Sequence, residues 1–201
     1  MPDYHIPLIP GQQYHVFNRA IGDEKMFRDK SDYPFFLQRY QKHVLSVADT
    51  YCYCLLPNHF HFMVKIKDET SIKKHFLEVK NKPFHCELIS DFIMERFSNF
   101  CNSYTKSINK VYKRKGSLFI NFLRRVKIET PSQFKRATFY IHNNPVNHGY
   151  LTKIDKWPWS SYNSIFSDKP TFLLREEVLK IFGGKQGFIQ YHNRKGKVEY
   201  C

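Results

Sequence analysis

The sequence has no pair of cysteines at metal-ligand spacing. Its five cysteines, Cys52, Cys54, Cys86, Cys101 and Cys201, form an odd set without a CxxC among them. That excludes a zinc-ribbon type of structural protein and a disulfide framework, and predicts a reducing, cytoplasmic setting. No apolar run approaches the roughly 20 residues needed to span a bilayer, so a membrane-embedded function is excluded. The stretch Met1-Pro2-Asp3-Tyr4-His5-Ile6-Pro7 lacks the basic patch and apolar core of a signal peptide. Internal repeats, low-complexity tracts and Gly/Ser-rich linkers are also missing, which excludes a solenoid and a chain of tethered modules. Acidic residues are scarce: 18 Asp and Glu stand against 32 Lys and Arg, a formal charge of +14. A surplus of that size favours a polyanionic partner, because neutralising phosphates releases their counterions.

What is present is apolar and strongly aromatic. Of the 201 residues, 42% are hydrophobic and 17% aromatic, with 19 Phe and 13 Tyr, enough to bury a core. Gln13 to Arg19 reads as a strand ending near Gly22. From Ser31, a plausible N-cap, to about Val47, apolar residues at Phe35, Phe36, Tyr40 and Val44 recur at helical spacing. Thr50 to Leu56 is strand-like, and Pro57-Asn58 turns it into a third strand, His59 to Lys67, which makes an antiparallel hairpin. A short helix near Ser71 to Val79 follows, and then a long one from about Glu87 to Tyr112 with an apolar stripe from Leu88 to Ile108. A fourth strand is expected through Leu118 to Ile128. This order is that of a ferredoxin-like sandwich, an α+β fold with an antiparallel sheet and helices on one face.

Thr130-Pro131-Ser132-Gln133 then combines a capping box with Pro at the first helical position. The helix is expected to stop before Pro145, at Asn144. Helices at Ser161 to Phe166 and Arg175 to Ile181 are expected in the tail. Gly183-Gly184 and the polar run Asn193-Arg194-Lys195-Gly196-Lys197 read as frayed.

His59-Phe60-His61 lies on the third strand, where side chains alternate between faces. Phe60, Phe62, Val64 and Ile66 share the core face, and the two histidines share the other, ~6.6 Å apart along the strand. Two imidazoles so placed can chelate one divalent ion. On the helix from Pro131 to Asn144, Phe134, Ala137, Thr138 and Ile141 define the buried face. Tyr140 and Asn144 lie one turn apart on one flank, and His142 falls about 160° away from Tyr140. A helix docked on the open sheet face would bring Tyr140 and Asn144 to the histidine pair. His142 is the better ligand by residue type, Asn144 by geometry, and Asn143 the fallback if Pro145 pulls Asn144 out of the helix.

Leu56-Pro57-Asn58-His59-Phe60-His61-Phe62 and Tyr140-Ile141-His142-Asn143-Asn144-Pro145-Val146 resemble the two signatures of the REP-associated tyrosine transposases, members of the HUH superfamily. Tyr14 to Arg19 resembles that family's opening strand, Gly116-Ser117-Leu118-Phe119 its post-helix turn, and Trp159-Ser160-Ser161-Tyr162 its C-terminal motif. Ile120-Asn121-Phe122 stands where many members carry a Gln or a basic residue. The resemblance spans residues 13 to 166. It implies a nuclease domain over 1–146 that includes the catalytic helix 131–144, with 147–201 as a packed C-terminal extension with a frayed end. It further implies that His59 and His61 bind a divalent metal, Mg²⁺ or Mn²⁺, with Asn144 a candidate third ligand. Tyr140 would be the nucleophile of a single-strand DNA endonuclease and strand transferase that forms a 5′-phosphotyrosine and frees a 3′ hydroxyl.

Single-stranded or hairpin DNA is the expected partner. Its contacts are expected at Arg19, Lys110, Lys113, Arg114, Lys115, Arg124, Arg125 and Lys127, with Tyr112 and Phe122 as stacking surfaces. The competing reading is a non-catalytic module or domesticated regulator binding single-stranded DNA or RNA, which needs no such trio of His59, His61 and Tyr140. Monomer and homodimer both stay open.

Overall fold

The structure, a computed structural model, describes residues 3–193. Met1, Pro2 and residues 194–201 lie outside the described residues, including most of the polar run expected to fray and Cys201. Four strands, β1 (Gln13–Arg19), β2 (Ala48–Leu56), β3 (His59–Ile66) and β4 (Arg124–Ile128), form one antiparallel sheet in the order β2-β3-β1-β4. Helices α1 (Asp32–Val44), α2 (Glu69–Lys80) and α3 (Ile89–Val111) fall between the strands, and α4 (Pro131–Asn147) follows β4. This is the ferredoxin-like α+β order expected from the sequence.

Alternation along the strands sorts the two faces. On β3, Phe60, Phe62, Val64 and Ile66 are fully buried against rings from α1 and α3. Tyr40 stacks on Phe62 with centroids 3.9 Å apart, and Phe36 meets Phe100 at 4.7 Å and Tyr104 at 4.8 Å. Each buried Phe contributes roughly 1.5–3 kcal/mol by leaving water, so this aromatic layer dominates the core. The opposite face carries His15 and Phe17 of β1 beside His59 and His61 of β3, with Phe17 paired to His61 and Arg19 to His59 in the ladder. Helix α4 covers that face: Phe134, Ala137, Thr138 and Ile141 are buried, and Phe134 packs edge-on against Tyr51 of β2 at 5.0 Å.

Both exposed sheet edges are occupied, which removes a template for unwanted strand pairing. Along β2, the Leu55 N–H donates to Trp159 O, and the N–H groups of Ser161 and Leu174 donate to Tyr53 O and Thr50 O. Along β4, the Arg125 N–H donates to Tyr4 O. Cys52 and Cys54 are buried beneath α4, and burial pushes both thiols up, so neither is poised to react. No helix among the described residues is long and apolar enough to cross a membrane.

Several local expectations differ from the structure. The fourth strand begins at Arg124 rather than Leu118, because Phe122 turns the chain with φ +70°, and only an isolated bridge joins Phe119 to Ala20. Ser31 occupies the N-cap of α1 without a capping bond, while the Asp32 carboxylate accepts the Arg28 and Asp29 N–H groups. The segment Asn163–Phe166 is a 3-10 turn. Gly183 and Gly184 do not fray. Their φ angles of +77° and +94° make the tight turn from α5 (Arg175–Phe182) into α6 (Lys185–His192), whose Phe188 is fully buried.

Helix α4 runs through Pro145 to Asn147 instead of stopping at Asn144. Proline forfeits one hydrogen bond there, but the last turn is held by other bonds. The Asn143 Nδ2 donates to Asn147 Oδ1 at 2.7 Å, the His148 N–H to Asn144 O at 3.0 Å, and the Tyr150 N–H to Pro145 O at 2.9 Å.

Candidate active site

Helix α4 begins where the sequence places it. The Thr130 side chain accepts the Gln133 N–H and the Gln133 side chain accepts the Thr130 N–H, a closed capping box. From that fixed start, helical periodicity carries Tyr140 and Asn144 over the open face of β1 and β3. Tyr140 stands edge-on to His61 with centroids 5.6 Å apart and to His15 at 6.0 Å. Asn144 Oδ1 lies 3.0 Å from His59 Nε2. Thus the four residues that the sequence singles out for chemistry meet in one place, although His59 and Asn144 are 85 residues apart in the chain.

His59, His61 and Tyr140 line a cleft of about 230 Å³ together with Asn18, Arg19, Asn58, Arg124 and His148, and Asn144 is buried beside His59. His61 is buried and His59 half-buried. Desolvation lowers the pKa of His59 to about 4 and that of His61 well below its usual range, and the neighbouring His15 adds to the lowering at His61. Both imidazoles are therefore neutral at pH 7, the form that binds metals. Asn58 Oδ1 lies 2.7 Å from His59 Nδ1 and Asn144 Oδ1 lies 3.0 Å from His59 Nε2, so two amides hold the ring. His61 Nε2 and Asn144 Nδ2 are buried with no hydrogen-bond partner.

These observations fit a divalent ion held by His59, His61 and Asn144. Among the described residues, no group of three or more His, Cys, Asp or Glu is arranged to hold a metal. Such an ion would consequently have two imidazoles and an amide oxygen as its protein ligands. That neutral set leaves the full positive charge to act on a phosphate.

His142 does not reach the cleft. It is buried on the far flank of α4, with Nε2 2.9 Å from Ser161 Oγ and Nδ1 3.0 Å from His192 Nε2. Since His192 Nδ1 lies 2.8 Å from Phe188 O and donates to it, its Nε2 accepts from His142, while the Ser161 hydroxyl also lies 3.2 Å from Tyr53 O. This chain ties α4 to the β2 edge and to α6. Asn143 also turns away, to Asn147.

The basic residues divide into two groups. Arg19 and Arg124 are exposed on the rim of the cleft, and Lys110, Lys113 and Lys115 are exposed around the end of α3. Arg114 and Arg125, grouped with DNA contacts from sequence, are instead committed inside the fold. Arg114 pairs with Glu24 at 3.2 Å and donates to Asn109 Oδ1 and Ser117 O. Arg125 is buried and donates to the carbonyls of His5, Ile6 and Leu123. Lys127 pairs with Glu129 at 3.3 Å. Of the aromatic pair, Phe122 is 71% exposed, whereas the Tyr112 hydroxyl donates to Asp32 Oδ2 at 2.9 Å.

His15, Asn58 and His148 line or support the site without having been assigned to it from sequence. His15 lies diagonally from His61 only because β1 pairs with β3 in the observed register. His148 reaches His59, with centroids 4.8 Å apart, only because α4 continues past Pro145. A helix expected to stop at Asn144 gives no reason to look four residues further.

No protein-family model matches the chain. A curated protein of Haemophilus influenzae named as a REP-associated tyrosine transposase is 23% identical over 115 residues, 57% of this chain and 59% of that protein. The match thus spans less than two thirds of that relative's length. A solved structure of a REP-associated tyrosine transposase bound to a REP hairpin superposes with a TM-score of 0.62 at 14% identity, over 85% of this chain and 89% of that one. The chain is similar to REP-associated tyrosine transposases in sequence and shares their fold.

Proposed function

We propose that this chain is a metal-dependent single-strand DNA endonuclease and strand transferase of the transposase type, acting on hairpin or repeat DNA with Tyr140 as nucleophile. The observation that carries the reading is the convergence of Tyr140, His59 and His61 on one cleft, with Tyr140 5.6 Å from His61 between ring centroids and Asn144 Oδ1 3.0 Å from His59 Nε2. The name of the curated relative and the hairpin held by the structural neighbour point the same way. A divalent ion, Mn²⁺ or Mg²⁺, bound by His59, His61 and Asn144 would polarise the scissile phosphate and offset its charge.

The remaining work falls to the chain itself. Arg19 and Arg124 on the cleft rim draw the backbone phosphates in, backed by the +14 charge of the chain. Tyr140 Oη forms a bond to phosphorus as the bond from phosphorus to the 3′ oxygen breaks. Tyr140 gives up its hydroxyl proton, the leaving 3′ oxygen takes one up, and a 5′-phosphotyrosine and a free 3′ hydroxyl result. A tyrosine in place of water keeps the phosphodiester energy in the covalent link, so that a 3′ hydroxyl can reverse the step on the same or another strand. The free Cys52, Cys54, Cys86 and Cys101 suit a reducing cytoplasm.

The test is to incubate the protein with 3′-end-labelled single-stranded hairpin DNA and Mn²⁺, and to look for a denaturant-resistant adduct carrying the strand on the 3′ side of the break, joined through its 5′ phosphate. Label appearing only as a hydrolysed product, with no adduct at any time, would overturn the tyrosine reading.

A further inference from the structure

A second concavity opens beside the catalytic cleft. This groove of about 320 Å³ lies between α3 and residues 117–123, the segment leading into β4, and it shares Asn18 and Ile120 with the cleft, so the two adjoin. Its floor is apolar, made by Phe97, Phe119 and Leu123, all buried. Its rim carries the exposed side chains of Ser98, Asn102 and Asn121. None of the described residues that line it is charged, on a chain of net charge +14.

Phe122 stands at the lip of this groove in a conformation that folding alone does not favour. Its φ of +70° lies in the left-handed region, where a bulky side chain crowds the backbone, and its ring is 71% exposed, so burial does not offset the strain. His5 meets the ring edge-on, with centroids 5.4 Å apart and planes at 79°. That edge contact props the ring and leaves its faces open. Directly after Leu123 comes Arg124, exposed on the rim of the catalytic cleft. A strand whose phosphates lie along Arg124 therefore has an aromatic face and a neutral groove beside it.

The chemistry of the lining selects the occupant. A phosphate would find no cation in the groove, and a plain apolar group would leave the amides on the rim unused. A nucleobase matches both parts, since it has an aromatic face to stack and polar edges to hydrogen-bond. We propose that the groove is a subsite for one unpaired base of the DNA strand held at the cleft, with the base stacked on Phe122 and its edge turned to the amides of Asn102 and Asn121. The proposal rests on the DNA reading of the cleft and adds to it a subsite that a fully paired stem cannot fill. Stacking accepts any base, so the subsite reads the unpaired state before it reads sequence.

The experiment measures binding of the full chain to labelled hairpin DNA with single-stranded flanks on both sides of the stem, by fluorescence anisotropy at several salt concentrations and without metal. Each flanking nucleotide is replaced in turn by an abasic one. In the wild type, one abasic position should weaken binding about 5–100-fold, the range that loss of one stacked base gives. Phe122→Asn should weaken binding of the intact DNA by a similar factor with an unchanged salt dependence, because no phosphate contact is lost. The abasic position should then make little further difference, and Asn102→Ala should lose affinity only for DNA that carries this base. Asparagine tolerates the left-handed region, so Phe122→Asn should melt no lower than the wild type, which separates lost binding from lost folding. Unaltered binding by Phe122→Asn overturns the proposal, as does an abasic penalty equally large in that variant and in the wild type. So does a wild type that binds flanked and unflanked hairpins equally. A wild type whose flank binding depends on Phe122, yet which forms no covalent adduct with Mn²⁺, supports the subsite while overturning the nuclease reading of the cleft. Adduct formation with binding indifferent to Phe122 does the reverse.

Discussion

Asn144 stays inside α4 although Pro145 follows it, and its Oδ1 lies 3.0 Å from His59 Nε2. Asn144→Ala should therefore weaken Mn²⁺ binding by tenfold or more, on the order of what loss of a metal-site partner costs. Pro145→Ala should leave it unchanged, since the helix already continues through that position. Calorimetric titration of the two variants decides the matter, and equal affinities in both would remove Asn144 from the site.

Tyr140→Phe should abolish the covalent DNA adduct and leave thermal stability within about 0.5 kcal/mol of wild type, the usual range away from the core. Only a hydroxyl is lost, at the edge of the buried face of α4. Adduct formation by the purified variant, followed on a denaturing gel, would exclude Tyr140 as the nucleophile.

His59→Ala and His61→Ala should each remove metal-dependent cleavage. They should differ in stability, because His61 is 5% exposed and packs between His15 and Tyr140, whereas His59 is half-buried at the cleft. His61→Ala is expected to cost more in a denaturant melt, and the reverse order would contradict the packing described.

Among the arginines, Arg124→Ala should lower affinity for single-stranded DNA and flatten its dependence on salt. Arg125→Ala should instead destabilise the fold by roughly 2–4 kcal/mol, because three carbonyls in the N-terminal segment and before β4 lose a charged donor. Paired salt titrations and urea melts separate the two effects. An Arg125→Ala protein as stable as wild type would refute the structural role.

Acid should destabilise the packing of the tail. Desolvation lowers the pKa of His192 from 6.5 to about 4, so the unfolded chain takes up a proton that the folded one refuses. The stability tied to this residue is fully present above pH 6.5 and is lost as pH falls toward 4, on the order of 3 kcal/mol in all. His192→Gln should reduce the slope of stability against pH within that window. An unchanged slope, measured by urea melts from pH 7 to pH 4, would sink the assignment.

How far the sequence reaches can be read from particular residues. The alternation Phe60, Phe62, Val64, Ile66 against His59 and His61 fixes the two faces of β3, because a strand has a period of two whatever it pairs with. Thr130-Pro131-Ser132-Gln133 fixes the start of α4, and 3.6-residue periodicity then puts Tyr140 and Asn144 on one flank. These are local rules, and they recovered the fold class and the placing of Tyr140 and Asn144 beside the histidine pair. Tertiary structure decided the rest. Which strand lies beside β3, and in what register, is set by side chains that meet only after folding, and that register makes His15 the neighbour of His61. Whether Pro145 ends α4 depended on bonds from Asn143, His148 and Tyr150 beyond the reach of local propensity. Charge is the plainest case: a sequence counts Arg114, Arg124 and Arg125 alike, but only the folded chain shows that Glu24 and the buried carbonyls around Arg125 claim two of them and leave the third on the rim of the cleft.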